Sequence, residues 1–327
     1  MISPKLREGR FAQAFRDRYL RSLHDYRFFY DDLTPIGSVE EADHVFYFVP
    51  GLNGTPGQLR FVLPSITRVF GSRIYLKALH LPEFSAHRPT WEKYSVANID
   101  RKIAQLRSDL DTLLARHDRL TVIASSNGFY DFAAAASTFA PDVLRERVKL
   151  IWGACAPDHF GPTIWEDVFY SLNGFKHDGH RWFAYPNHNL LQRFNPETSH
   201  SHLWCDRSQR RRFMKADLES RFRFLGLEWD YVSPSQFAAA TRHVVGQIQT
   251  PLACATHALV AANDGYWQGQ SRDFVERTIR RYVPDCELMF KPTSHLWVVT
   301  PTYVTELLAQ SKRALTRPCA GVLAACR

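Results

Sequence analysis

The chain has 327 residues, 45% of them hydrophobic and 23% charged, an ordinary composition for a folded protein of one large or two smaller domains. Its formal net charge of +8 favours acidic partners or substrates. No helix-turn-helix, zinc-finger or RNA-binding signature accompanies that charge, so nucleic acid is not expected. No apolar run approaches the roughly 18 residues of a spanning helix. The six cysteines form no CxxC pair and read as reduced thiols rather than a disulfide framework.

In chain order, the basic first 20 residues contain no apolar run able to act as a signal-peptide core, and the chain is read as cytoplasmic. An amphipathic helix is predicted over about residues 1–30, followed by an edge strand or two around "YRFFYDD". Six short apolar runs then stand out: "HVFYFVP" (44–50), "SRIYLKAL" (72–79), "RLTVIAS" (119–125), "VKLIWGA" (148–154), "LACATHALVAA" (252–262) and "CELMFK" (286–291). They are rich in β-branched and aromatic residues and mostly lack strict alternation, as strands buried on both faces of a parallel sheet do.

Helical patterns separate them. Ile99, Ile103, Leu106, Leu110 and Leu113 recur at three- and four-residue spacing, forming one apolar stripe. "FYDFAAAASTFA", "SRDFVERTIRRYV" and "PTYVTELLAQSKRAL" follow the third, fifth and sixth runs. Strand alternating with helix predicts an α/β fold with a mostly parallel central sheet flanked by helices. The alternation breaks over 157–247, a stretch too long and too aromatic for a bare loop. It is predicted to be a largely helical cap inserted into a core formed by 1–156 and 248–327.

The third run ends in Ala124-Ser125-Ser126-Asn127-Gly128 and hands over to a helix. A serine nucleophile on a parallel sheet needs such a sharp strand-to-helix turn, with small residues two before and two after it. Centring on Ser126 puts Ala124 and Gly128 at those positions; centring on Ser125 puts Ile123 and Asn127 there, a poor fit. A turn with a helix-capping serine has the same composition, so the motif is not decisive by itself.

The remaining parts of acyl-transfer chemistry have candidates in chain order. The backbone N–H of Asn127 would be one oxyanion donor. The other is Leu52 N–H, in the Gly-rich "FVPGLNGTPGQ" after the first strand, although glycines also build ordinary turns there. The acid is assigned to Asp264, just past the fifth strand in "ALVAANDGYW", with Asp158, just past the fourth, as the alternative. Asp-Gly is also ordinary turn chemistry. Of 14 histidines only His295, in "FKPTSHLWVV", directly follows the last strand. The order Ser126, Asp264, His295 places each group at the carboxyl edge of the sheet, where ligands bind in open α/β folds.

The set "PGLNG", "ASSNG", "AANDGYW" and "SHLW" resembles the α/β-hydrolase superfamily over about 44–155 and 250–312. Two departures stand out: Pro50 where many members have His, and Phe129 where many have a second Gly. The resemblance implies a serine hydrolase acting on a small acyl ester or thioester, with no cofactor and no metal. Gly51, Asn53, Tyr266, Trp267 and Trp297 flank the motifs and are candidates for substrate contact. His177, His180, His188, His200, His202 and Cys205 in the insertion match no zinc spacing. The basic segment 207–223 is either a solvated face or a receiver for an anionic or carrier-bound substrate or an anionic membrane surface. A fold member that binds a ligand without hydrolysing it, and an acyltransferase using the same triad, are the alternative functions.

Overall fold

A computed structural model describes residues 35–51, 59–79, 95–158, 234–262, 267, 270–293 and 301–315. All six apolar runs are strands: β1 (His44–Val49), β2 (Ile74–Ala78), β3 (Leu120–Ser125), β4 (Val148–Gly153), β5 (Ala255–Ala261) and β6 (Cys286–Lys291). They form one all-parallel sheet in the order β2-β1-β3-β4-β5-β6. The central strands β3 and β4 are buried at every position, which is why they lack alternation. The edge strand β2 does alternate, buried and half-buried. On its outer side, among the described residues, Ile36 exchanges two backbone hydrogen bonds of 2.9 Å with Leu76 and partly covers the edge.

The helices are α1 (Leu59–Phe70), α2 (Val96–Arg116), α3 (Gly128–Ala136), α4 (Pro141–Arg147), α5 (Pro234–Val245), α6 (Arg272–Arg280) and α7 (Pro301–Leu315). The predicted stripe of α2 is buried at all five positions, and Ser95 caps the helix by accepting from the Asn98 N–H. The two-turn α4 has too few residues to show a period, although Pro141 opens it in the favoured first-turn position.

Two apolar layers sandwich the sheet. Val62 and Ile66 of α1 and Val304, Leu307 and Leu308 of α7 pack on Phe46, Phe48, Ile123 and Ile151. The opposite face packs against α2, α3, α5 and α6. Helix α5 closes the stretch read as an insertion, and it lies against α2 and α3 with Ala238, Thr241 and Val244 buried. Residues 159–233, including the histidines, Cys205 and the basic segment, lie outside the described residues, as do residues 1–34. Among the described residues, no helix is long and apolar enough to cross a membrane.

The strand order positions the site. From β1 the chain moves outward to β2, then returns to the other side of β1 as β3 and proceeds towards β6. The helices after β1 and β3 therefore lie on opposite faces, α1 on one and α3 on the other. That divergence makes the carboxyl ends of β1 and β3 the topological switch point of the sheet, the place where open α/β folds bind ligands.

Candidate active site

Ser126 stands at that switch point, one residue beyond β3. Its φ is +51°, in the left-handed region. Ser125 remains in the strand, opposite Gly153, so the turn centres on Ser126 as its spacing predicts. For a residue with a Cβ this conformation costs about 1–2 kcal/mol. Neighbouring bonds offset it. The Ser126 N–H donates to the Gly153 carbonyl at 2.8 Å. The Ser126 carbonyl accepts from the Trp152 indole N–H at 3.0 Å and, at 3.3 Å, from the Phe129 N–H.

The small residues of the motif have a visible cause. A Cβ on Gly128 would lie 2.4 Å from the Pro50 carbonyl oxygen and 2.8 Å from that of Val49. The end of β1 thus crosses directly over the start of α3. A Cβ on Gly51 would lie 2.8 Å from the Ser125 carbonyl oxygen and 3.0 Å from the Ser126 Cβ. The loop after β1 therefore begins in contact with the serine itself, and no larger residue fits between them. Ala124 pairs with Trp152 across β3 and β4 and shares an apolar cluster with the Trp152 and Phe129 rings.

Asn127 is buried and opens α3 with helical dihedrals, which directs the positive end of the helix towards the turn. Its side chain makes no capping bond, and its Oδ1 is buried without a hydrogen-bond partner among the described residues. Asp131, in the first turn, forms a buried ion pair with Lys102 of α2. That pair neutralises a carboxylate that would otherwise offset the positive end of the helix.

Past β4 a second left-handed residue, Ala154 (φ +51°), turns the chain against α3. The Tyr130 hydroxyl donates to the Ala156 carbonyl at 2.7 Å, and the buried Trp267 indole N–H donates to the Cys155 carbonyl at 2.6 Å. Asp158 is buried at the end of this segment, where it accepts from the Tyr282 hydroxyl at 2.6 Å and pairs with Arg281. Burial raises the pKa of both phenols, with Arg281 opposing the shift at Tyr282, so both stay protonated donors. The Tyr282 carbonyl accepts from the Leu252 N–H, ahead of the first residue of β5. Asp158 is thus engaged by Tyr282 and Arg281, and the Tyr282 ring itself meets Phe129 and Tyr130 edge-on beside the start of α3.

Leu52, Asn53, Asp264, Tyr266, His295 and Trp297 lie outside the described residues. By chain position Asp264 stands three residues beyond β5 and His295 four beyond β6, and those two strands are neighbours in the sheet. Trp152 is the residue at this site that sequence spacing does not signal. Its indole reaches Ser126 only because β3 and β4 pair in this register.

No family model and no curated protein matches the chain. Solved structures do match it. An esterase from Thermogutta terrifontis aligns over 87% of this chain and 93% of its own, with a TM-score of 0.52 at 16% identity. A hydrolase from Pseudomonas aeruginosa PA01 aligns over 85% of this chain and 92% of its own, with a TM-score of 0.50 at 16% identity. Likeness at such identity carries the fold and leaves the chemistry to the residues. The chain has the α/β-hydrolase fold.

Proposed function

We propose that the protein is a serine hydrolase of carboxylic esters or thioesters, working through Ser126, His295 and Asp264. His295 takes the Ser126 hydroxyl proton as the oxygen attacks the substrate carbonyl. The backbone N–H groups of Leu52 and Asn127 hold the oxyanion. The imidazolium returns its proton to the leaving alcohol or thiol, and water then releases the acyl group by the same steps. Asp264 holds the imidazole tautomer and stabilises its charged form. Residues 157–247 are proposed as the cap that shapes the acyl pocket, with α5 at its end rejoining the core against α2 and α3.

The observation that carries this reading is the strained, left-handed Ser126 at the switch point, with Gly51 packed against its Cβ. Strain of this kind persists where surrounding structure over-determines it, and it clusters at functional sites. The ties of Asp158 to Tyr282 and Arg281 favour Asp264 as the acid.

A fluorophosphonate probe tests the nucleophile. The wild type is expected to label at Ser126, and Ser126→Ala to lose both labelling and ester turnover. A folded wild type that resists the probe would turn the reading to ligand binding without hydrolysis. For the acid, Asp264→Asn is expected to lower kcat by about 10⁴. Asp158→Asn should keep most turnover while losing about 1–3 kcal/mol of stability. Abolition of turnover by Asp158→Asn alone would reverse the assignment.

A further inference from the structure

We propose that Trp152 is a positioning residue for the oxyanion site: its indole N–H, bound to the Ser126 carbonyl, fixes the Ser126–Asn127 peptide plane and thereby aims the Asn127 N–H. The inference rests on the serine-hydrolase reading above.

A peptide unit is planar, with its C=O and N–H pointing in opposite directions. Whatever holds the Ser126 oxygen therefore sets the direction of the Asn127 hydrogen. Within α3 that oxygen finds only the Phe129 N–H, at 3.3 Å. The indole, at 3.0 Å, is its shorter partner. A donor on the carbonyl also polarises the peptide and strengthens the opposite N–H as a donor. The bond from the Ser126 N–H to Gly153 merely continues the β3–β4 ladder by one residue, so any residue at 153 would supply it. The bond from Trp152 is a side-chain bond and depends on residue type.

The surroundings lock the indole in place. Trp152 is fully buried. Phe129 stacks on it with centroids 3.7 Å apart and planes 13° apart, and Tyr130 meets it edge-on at 5.8 Å. Ala124, its partner in the ladder, is small enough to leave the rings room on that face. This accounts for the aromatic residue directly after Gly128: Phe129 is the lid of the indole, and one face of the elbow is built around their stack.

Trp152→Phe leaves a ring for Phe129 to stack on and removes the N–H. With p-nitrophenyl butyrate, kcat is expected to fall about tenfold while KM moves by less than about twofold, the effect of one buried hydrogen bond acting on the transition state. The rate of fluorophosphonate inactivation should fall by a similar factor. Phe129→Leu, which loses the stack and keeps the N–H, should lower the melting temperature more than Trp152→Phe and lower kcat less. Wild-type kcat in Trp152→Phe, a loss confined to KM, or kcat that follows melting temperature through both variants would overturn the proposal. Should Trp152→Phe not fold, 3-benzothienylalanine at position 152, with sulfur in place of the N–H, carries the same expected and overturning results. Failure of the wild type to label at Ser126 strikes the hydrolase reading itself. Labelling of Trp152→Phe at the wild-type rate strikes this inference alone.

Discussion

At the amino edge of the sheet, positive φ falls on glycine: Gly71 (+91°) ends α1, and Gly37 (+81°) lies against Ile74 at the start of β2. At the carboxyl edge the same region of backbone space is occupied by Ser126 and Ala154, both at +51°. Where only the architecture requires a left-handed residue, the chain uses the residue that adopts it without strain. At the carboxyl edge the chain instead carries the strain of a Cβ at both positions, and at Ser126 it surrounds that strain with hydrogen bonds. The amino edge also uses its charge differently. Arg147 donates to the Asp118, His117 and Leu114 carbonyls, Lys312 to Val69, Arg280 to Pro284 and Lys149 to Ser311. The bonds of Arg147 and Lys312 close the ends of α2 and α1, where unsatisfied carbonyls gather. Part of the basic excess that suggests an acidic partner is therefore structural.

The contrast is broken most severely at Gly128. Alanine there places a Cβ 2.4 Å from a backbone oxygen. We expect a loss of about 3 kcal/mol, and of about 100-fold in ester turnover as the elbow shifts. Gly71→Ala at the other edge meets no atom within 4 Å. It should cost only the backbone strain, about 1 kcal/mol, and leave kcat unchanged. Urea unfolding paired with a p-nitrophenyl ester assay distinguishes the two; equal effects on kcat would erase the difference between the edges.

A smaller effect comes from relaxing the strain itself. Ser126→Gly should be more stable than Ser126→Ala, and Ala154→Gly more stable than wild type, each by about 0.5–1 kcal/mol after the added freedom of the unfolded chain is subtracted. Destabilisation by both glycines would mean that these positions hold no releasable strain.

A pH-dependent effect is expected at Lys149, buried in β4 at the amino edge. Burial, followed by the nearby Arg119 and partly opposed by Glu287, pushes its pKa from 10.5 down to about 8. Between those values the unfolded chain binds more protons than the folded one, so stability rises with pH across that window. Below it, Lys149 is charged in both states and its contribution is constant. The stability of wild type minus that of Lys149→Met, from urea unfolding, should therefore be flat below about pH 8 and increase up to about pH 10.5. A difference that falls with rising pH would contradict the burial of this amine.

The strands and the elbow were legible for a local reason. Six apolar runs without alternation became six strands, and "ASSNG" became a turn centred on Ser126, because both patterns are set by neighbours a few residues apart. Helix α4 was missed because seven residues show no period. The place of α5 against α2 and α3 was not legible either, since a run of alanines does not tell which surface will cover it. Phe129 was visible only as a departure from the resembled pattern, because the ring that explains it belongs to another strand.

The sequence alone determined the α/β alternation, the position of the serine turn and the need for small residues around it, since covalent spacing and backbone sterics impose these within a few residues. Only the tertiary structure decided that β1 crosses over Gly128, that Gly51 touches Ser126, that the Trp152 indole bonds a carbonyl 26 residues away, and that Asp158 is tied to a tyrosine 124 residues away. Those contacts depend on strand order and register, which are settled when the whole sheet packs between its two helical layers.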